Sequence, residues 1–203
     1  MYCTLDATPL SKAEVTMDAG AYQDVTDPSV FVKFEVMNAQ NHMFNLSVED
    51  DLYLLAWTTT PWTLPANMAL AINEQVQYSL VRTNGTYMIL AKSLLGKVFI
   101  DEKKQPIEYD VIQDSVPVSD LIGLAYIPPL MGKRLMNHNP QRPNFNAEMS
   151  NYWKVFSADF VGEDTGTGIV HIAPAYGEDD FELAMKNNIA VLHVVDENGN
   201  YLS

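Results

Sequence analysis

Apolar residues along this chain fall into short runs separated by polar breaks, and the runs carry a two-residue period more often than a helical one. Residues 29–36 are the clearest case. Val30, Val32, Phe34 and Val36 share one face, and Phe31, Lys33 and Glu35 share the other, which is the pattern of a half-buried strand. Residues 52–57, LYLLAW, are a continuous apolar run too short for a typical helix, and predict a buried strand. Residues 67–73 continue as another strand. Residues 75–82 alternate again, with Val76, Tyr78 and Leu80 inward. Asn84-Gly85 is a strong two-residue hairpin signal, with 86–91 as the return strand. Further strands are expected over 107–112, 124–127 (ended by Pro128-Pro129), 153–160 and 189–195. Asn198-Gly199 marks a last hairpin turn whose partner strand is cut short at Ser203.

Helical signals are few. Residues 93–99 predict a short helix. After the acids Glu178, Asp179 and Asp180, Phe181, Ala184 and Met185 fall at helical spacing, and Asn187-Asn188 can stop the helix. Residues 1–28 read as a polar lead-in, with 1–3 a strand stub. Residues 38–51 and the charged 101–106 read as connections. Residues 137–150, NHNPQRPNFNAEMS, are rich in Asn and Pro and predict a surface loop. Many short strands with few helices point to a mainly β protein, a β-barrel with peripheral α-helices.

Two segments carry candidate chemistry. Residues 164–180, DTGTGIVHIAPAYGEDD, read as strand, turn and helix start. Carboxylates in a helix's first turn sit near its positive end, which favours the ionised form. Such a carboxylate can hold a substrate ammonium or orient a water. The plainer reading is an ordinary capped helix after a buried strand. Residues 57–67, WTTTPWTLPAN, cannot be a regular helix, because each proline lacks an N–H and restricts its predecessor. That loop offers hydroxyls and backbone donors beside an aromatic wall.

Composition limits the partners. Twelve basic residues against 26 acidic give a formal charge of −14, which argues against strong autonomous nucleic-acid binding, since phosphate contacts need Lys and Arg. The single cysteine, Cys3, excludes an internal disulfide and fits a reducing, cytoplasmic compartment. No run is long enough to span a bilayer, and the N-terminal residues lack a signal peptide's apolar core.

WTTTPWTLPAN together with GTGIVHIAPAYGEDDF resembles the editing domain inserted in isoleucyl-tRNA synthetase, loosely over nearly the whole chain. The valyl and leucyl enzymes usually carry an arginine and an acid after the threonines. Here Thr60, Trp62 and Thr63 stand at the corresponding positions, so the isoleucyl branch fits best. The resemblance implies a closed β-barrel editing domain over residues 1–203, excised from a larger synthetase. It lacks the H-I-G-H and K-M-S-K-S runs of an aminoacylation site. The implied activity is hydrolysis of valine wrongly attached to tRNA(Ile), with valyl-adenylate as a further substrate. The implied partners are the tRNA 3′ end carrying valine and the rest of the parent synthetase, with the isolated domain a monomer.

No motif among the Ser, His and Cys residues marks a nucleophile. The four histidines, His42, His138, His171 and His193, lack metal-ligand spacing, so neither metal nor cofactor is expected. What remains is attack by an oriented water. By resemblance, Asp180 engages the substrate's α-ammonium, and Thr58, Thr59 and Thr60 supply hydroxyls or amides near the ester and the water. Thr63 and Asn67 help hold the adenosine or the amino acid, Trp62 forms a wall, His171 bounds the side-chain pocket, and Tyr176 joins the binding surface. Each has a structural alternative. The threonines can stabilise their own loop through side-chain-to-backbone bonds. Trp62 can be plain core, and His171 a satisfied core histidine. Two further functions stay open: a free-standing trans-editing deacylase with the same chemistry, and a non-catalytic tRNA-binding β-barrel module that would need none of these residues.

Overall fold

The computed structural model describes residues 2–3, 5–6, 8–15, 28–130 and 151–202. The expected surface loop at 137–150, with His138, lies outside them. The chain divides into two compact units, one of Met1–Pro28 with His193–Ser203, the other of Ser29–Leu192. In the first, β1 (Tyr2–Cys3) pairs antiparallel with β2 (Thr8–Pro9). A turn at Asn198-Gly199 also lies in this unit, with Gly199 at φ +81°. It closes a single bridge between Val195 and Tyr201, so a partner to the turn is present. Residues 189–195, expected as a strand, form no ladder beyond that bridge.

The described residues of the second unit hold two sheets. Its strands are β3 (Val30–Val36), β4 (Leu52–Thr58), β5 (Ala69–Ile72), β6 (Tyr78–Thr83), β7 (Thr86–Ala91), β8 (Asp110–Val116), β9 (Tyr126–Ile127), β10 (Val155–Ser157) and β11 (Val170–Ile172). Six of them form a sheet in the order β8-β6-β7-β4-β3-β9, antiparallel except where β4 meets β7. The other sheet has the order β10-β5-β11, with β10 parallel and β11 antiparallel to β5. The β6–β7 hairpin turns at Asn84 (φ 48°) and Gly85 (φ 80°), the left-handed pair its sequence demands. Between β4 and β5 the proline-interrupted segment Pro61–Ala66 winds as a 3-10 helix.

The expected closed barrel is not what the ladders form among the described residues. They make two open sheets, joined at the β9 edge by one bridge, Ala125 to Lys154, with backbone bonds from Gly123 to Val155 and from Tyr126 to Trp153. β9 is only two residues long before Pro128, too short to carry a continuous ladder onward.

Among the described residues the α-helices are α1 (Leu95–Val98), α2 (Val118–Leu121) and α3 (Glu178–Lys186). α3 begins and ends near the residues its sequence indicated, but its buried side chains are Leu183 and Ala184. Of the three residues at helical spacing, Ala184 is buried as its position implied, while Phe181 and Met185 are 45% and 50% exposed. A helix that packs one shallow stripe against β5 and β11 buries only the positions that meet it. Here Leu183 and Ala184 join Met68, Ala69, Ala71 and Ile172. The larger core gathers Phe34, Leu54, Leu70, Tyr78, Leu80, Ile89 and Tyr126 between the sheets. β6 is buried on both faces apart from Arg82, so it is not the half-buried strand that alternation implied.

Candidate active site

The antiparallel register of β5 and β11 builds the site. Ala69 sits opposite Ile172 and Leu70 opposite His171, so the start of β5 lies beside the end of β11. The loop that precedes β5 and the turn that follows β11 therefore emerge at the same end of the small sheet. The first holds Thr58 to Asn67. The second holds Ala173 to Gly177 and runs into α3 with Asp180. Side chains tie the loop to the turn and to the strand before it. Trp62 stands edge-on to Tyr176, with ring centroids 5.1 Å apart, and Thr63 Oγ1 lies 2.9 Å from His171 Nε2. Trp62 is 47% exposed, so it is a wall of the surface and not core.

The threonines divide by role. Thr58, at the end of β4, is buried, and its Oγ1 accepts the Thr60 backbone N–H at 3.0 Å, while Thr63 Oγ1 donates to the Thr60 carbonyl at 2.9 Å. These are loop-stabilising bonds of the kind short hydroxyl side chains make. Thr59 and Thr60 are exposed at the loop's crest.

Beneath them lies a buried polar cluster. Asn67 is 0% exposed, its Nδ2 donating to the Ala69 carbonyl at 2.9 Å and lying 2.9 Å from His171 Nδ1. Tyr126 donates its hydroxyl to Asn67 Oδ1 at 2.6 Å, and Trp153 Nε1 donates to the Asn67 carbonyl at 3.2 Å. His171 is 7% exposed, with its ring stacked near Phe34. Burial pushes its pKa down to about 4, so the ring is neutral at pH 7. Both ring nitrogens are engaged within the protein, and so is every polar atom of the Asn67 side chain. Asn67 thus supports the loop from below.

Asp180 is the third residue of α3 after its cap, Gly177, and folds back over it. Its Oδ2 accepts the Ala173 N–H at 3.2 Å. A β-carbon on Gly177 would stand 2.7 Å from that oxygen, so a residue without a side chain is what lets the carboxylate reach the turn. Burial raises the Asp180 pKa to about 6. The Ala173 N–H pulls the other way, and the neighbouring Asp179 adds to the rise. Near pH 7 the group is therefore a half-buried carboxylate, mostly ionised, that gains from a cation brought against it. Asp179 points elsewhere, into a surface groove shared with Glu182, Lys186 and residues 157–160. Among the described residues no three His, Cys, Asp or Glu side chains gather to hold a metal ion, and no helix is long and apolar enough to cross a membrane.

Sequence reasoning missed Tyr126 and the part played by Gly177. Nothing local distinguishes a tyrosine in a short strand, 59 positions from its partner Asn67.

The fold is that of solved aminoacyl-tRNA synthetase editing domains. Solved structures of this kind align with the chain: a leucyl-tRNA synthetase CP1 structure, GlLeuRS-CP1, at TM-score 0.57 with 18% identity, over 78% of this chain and 60% of that one. The P. falciparum cytosolic leucyl-tRNA synthetase editing domain aligns at TM-score 0.53 with 12% identity, over 79% and 67%. The branch comes from sequence. The chain is 38% identical over 200 residues to the isoleucine–tRNA ligase of Bacillus thuringiensis (strain Al Hakam) and 36% identical over 200 residues to that of Mycobacterium tuberculosis (strain H37Rv). Each match takes in 98% of this chain but only 16% and 17% of the relative. No family model matches. The chain is thus of the isoleucyl-tRNA synthetase editing-domain kind, as its two long motifs indicated.

Proposed function

We propose that the chain hydrolyses the ester of valine wrongly attached to tRNA(Ile), with valyl-adenylate a further substrate, as the editing part of a larger isoleucyl enzyme. The observation that supports this most directly is the β5–β11 register, which brings the threonine loop and the Asp180 turn to one end of the small sheet. That observation stands in a chain whose sequence relatives are isoleucine–tRNA ligases.

In this reading the Asp180 carboxylate binds the α-ammonium of the aminoacyl group and thereby fixes the ester. Exposed hydroxyls and amides at Thr59 and Thr60, with Thr58 shaping the loop, orient a water. Its oxygen attacks the ester carbonyl carbon, the bond to the ribose oxygen breaks, and that oxygen takes up a proton. The amino acid leaves as a carboxylate. Position and electrostatics supply the catalysis, without a covalent intermediate. Trp62 and Tyr176 form the outer wall, while Thr63 and Asn67 act from beneath. His171 bounds the amino-acid pocket with the little of its ring that is exposed. A pocket that accepts isoleucine cannot strongly reject valine, since one methylene is worth only ~1–3 kcal/mol. The isoleucine–valine pair is the standard illustration of that limit, and a second, smaller pocket overcomes it.

The test is deacylation of valyl-tRNA(Ile) and isoleucyl-tRNA(Ile) by the chain. Valyl ester should be hydrolysed and isoleucyl ester spared. Asp180→Ala should abolish the activity, and Asp179→Ala should have little effect. The rate should fall as pH drops through about 6, where Asp180 takes up a proton. Near-normal deacylation by Asp180→Ala would remove this residue from the reaction.

A further inference from the structure

The hydrogen bonds beneath the threonine loop have a single consistent direction. Thr63 spends its one hydroxyl proton on the Thr60 carbonyl, so toward His171 it can only accept, and Nε2 must carry the ring proton. An amide nitrogen can only donate, so Asn67 Nδ2 donates to Nδ1, which must be the bare nitrogen. Asn67 presents that nitrogen because its oxygen is held by the Tyr126 hydroxyl and its second N–H by the Ala69 carbonyl. The donors therefore run Tyr126 to Asn67 to His171 to Thr63 to the Thr60 carbonyl, with no atom left free to reverse them.

We infer that Tyr126 is a positioning residue of the editing site. Through Asn67 it holds His171 in the Nε2–H tautomer and in one ring plane, and through Thr63 it sets the backbone of the threonine loop at Thr60. The inference rests on the functional reading above only for the word editing; the relay itself stands on geometry. Tyr126 is placed for this by three contacts. Its backbone pairs with Val36, its N–H donates to the Trp153 carbonyl at 3.0 Å, and its ring meets Phe34 edge-on at 5.3 Å. Its hydroxyl is fully buried, and burial raises its pKa well above 10, so it remains a donor throughout the working pH range.

The experiment uses Tyr126→Phe, which keeps the ring against Phe34 and removes only the hydroxyl. Two readouts are taken on the whole chain: the His171 tautomer by long-range nitrogen–proton NMR, and valyl-tRNA(Ile) deacylation. Wild type should show a single Nε2–H tautomer. The variant should show a mixture, with kcat down about tenfold, the order expected for one buried hydrogen bond, and KM changed less. If the variant's tautomer stays single, Tyr126 only packs, whatever happens to the rate, and the inference fails. An Nδ1–H ring in wild type overturns it before any variant is made, so it remains testable even if Tyr126→Phe does not fold. A wild-type chain that shows the Nε2–H ring but no deacylation leaves the relay standing and refutes the proposed function instead.

Discussion

Lowering the pH should weaken the fold at His171, a loss that Asp180 largely offsets in the unmodified chain. The ring is neutral and buried, and its pKa falls from 6.5 to about 4 on folding. Between those values the unfolded chain binds a proton that the folded chain refuses, so stability is present above pH 6.5 and is lost as pH falls toward 4. Two and a half units at 1.36 kcal/mol each come to about 3 kcal/mol. That is a large share of the ~5–15 kcal/mol that holds a typical domain together. Asp180 acts in the opposite sense. Its pKa rises from 3.8 to about 6 on folding, so the folded chain binds the extra proton in an overlapping window and masks most of the loss. The measurement is therefore made in Asp180→Asn, by urea unfolding at half-unit steps from pH 7 to pH 4. The unfolding free energy should fall by about 3 kcal/mol across that range. A His171 resonance that titrates near 6.5, or a flat stability profile in that variant, would refute the reasoning.

Two other outcomes follow from described features. Gly168→Ala should destabilise the fold by several kcal/mol, since an added Cβ would stand 2.4 Å from Ala91 Cβ and the backbone is at φ +72°. Overpacking costs roughly 1–3 kcal/mol and a left-handed backbone about 1–2 more, to be read by urea denaturation against Gly85→Ala, where the added carbon meets open space. Binding of uncharged tRNA by this chain alone should be weak and vanish at physiological salt, given its charge of −14; sub-micromolar affinity in a filter assay would contradict that.

Strands were legible wherever one face is wet or a turn is chemically marked. β3 alternates visibly, and Asn84-Gly85 announces the β6–β7 hairpin to the residue. The inner face of α3 was legible only at Ala184, because Phe181 and Met185 share its helical stripe while the covered neighbour is Leu183. Only the neighbouring strands decide which pair is covered. Closure of the barrel was not legible for a related reason, since among the described residues a two-residue edge strand and one bridge leave little trace in hydrophobic pattern. At the site, the residue types in the threonine loop and around Asp180 were readable as chemistry. Their division of labour was not. Hydroxyls that face solvent and hydroxyls that brace a loop have the same letter, and the burial that separates Thr59 from Thr63 is a property of the assembled fold.

The chain leaves the six-stranded sheet at Thr58, builds the threonine loop and β5 in the other sheet, and returns at Tyr78. The small sheet it visits consists of one four-residue and two three-residue strands. The threonine loop enters β5 and the Asp180 turn leaves β11, so both halves of the site hang from this sheet. β5 is buried along its length and sends Leu70 and Ile72 into the larger core. The site is therefore anchored to the packing of the whole unit, and amide exchange at β5 should be as slow as in β6 and β7.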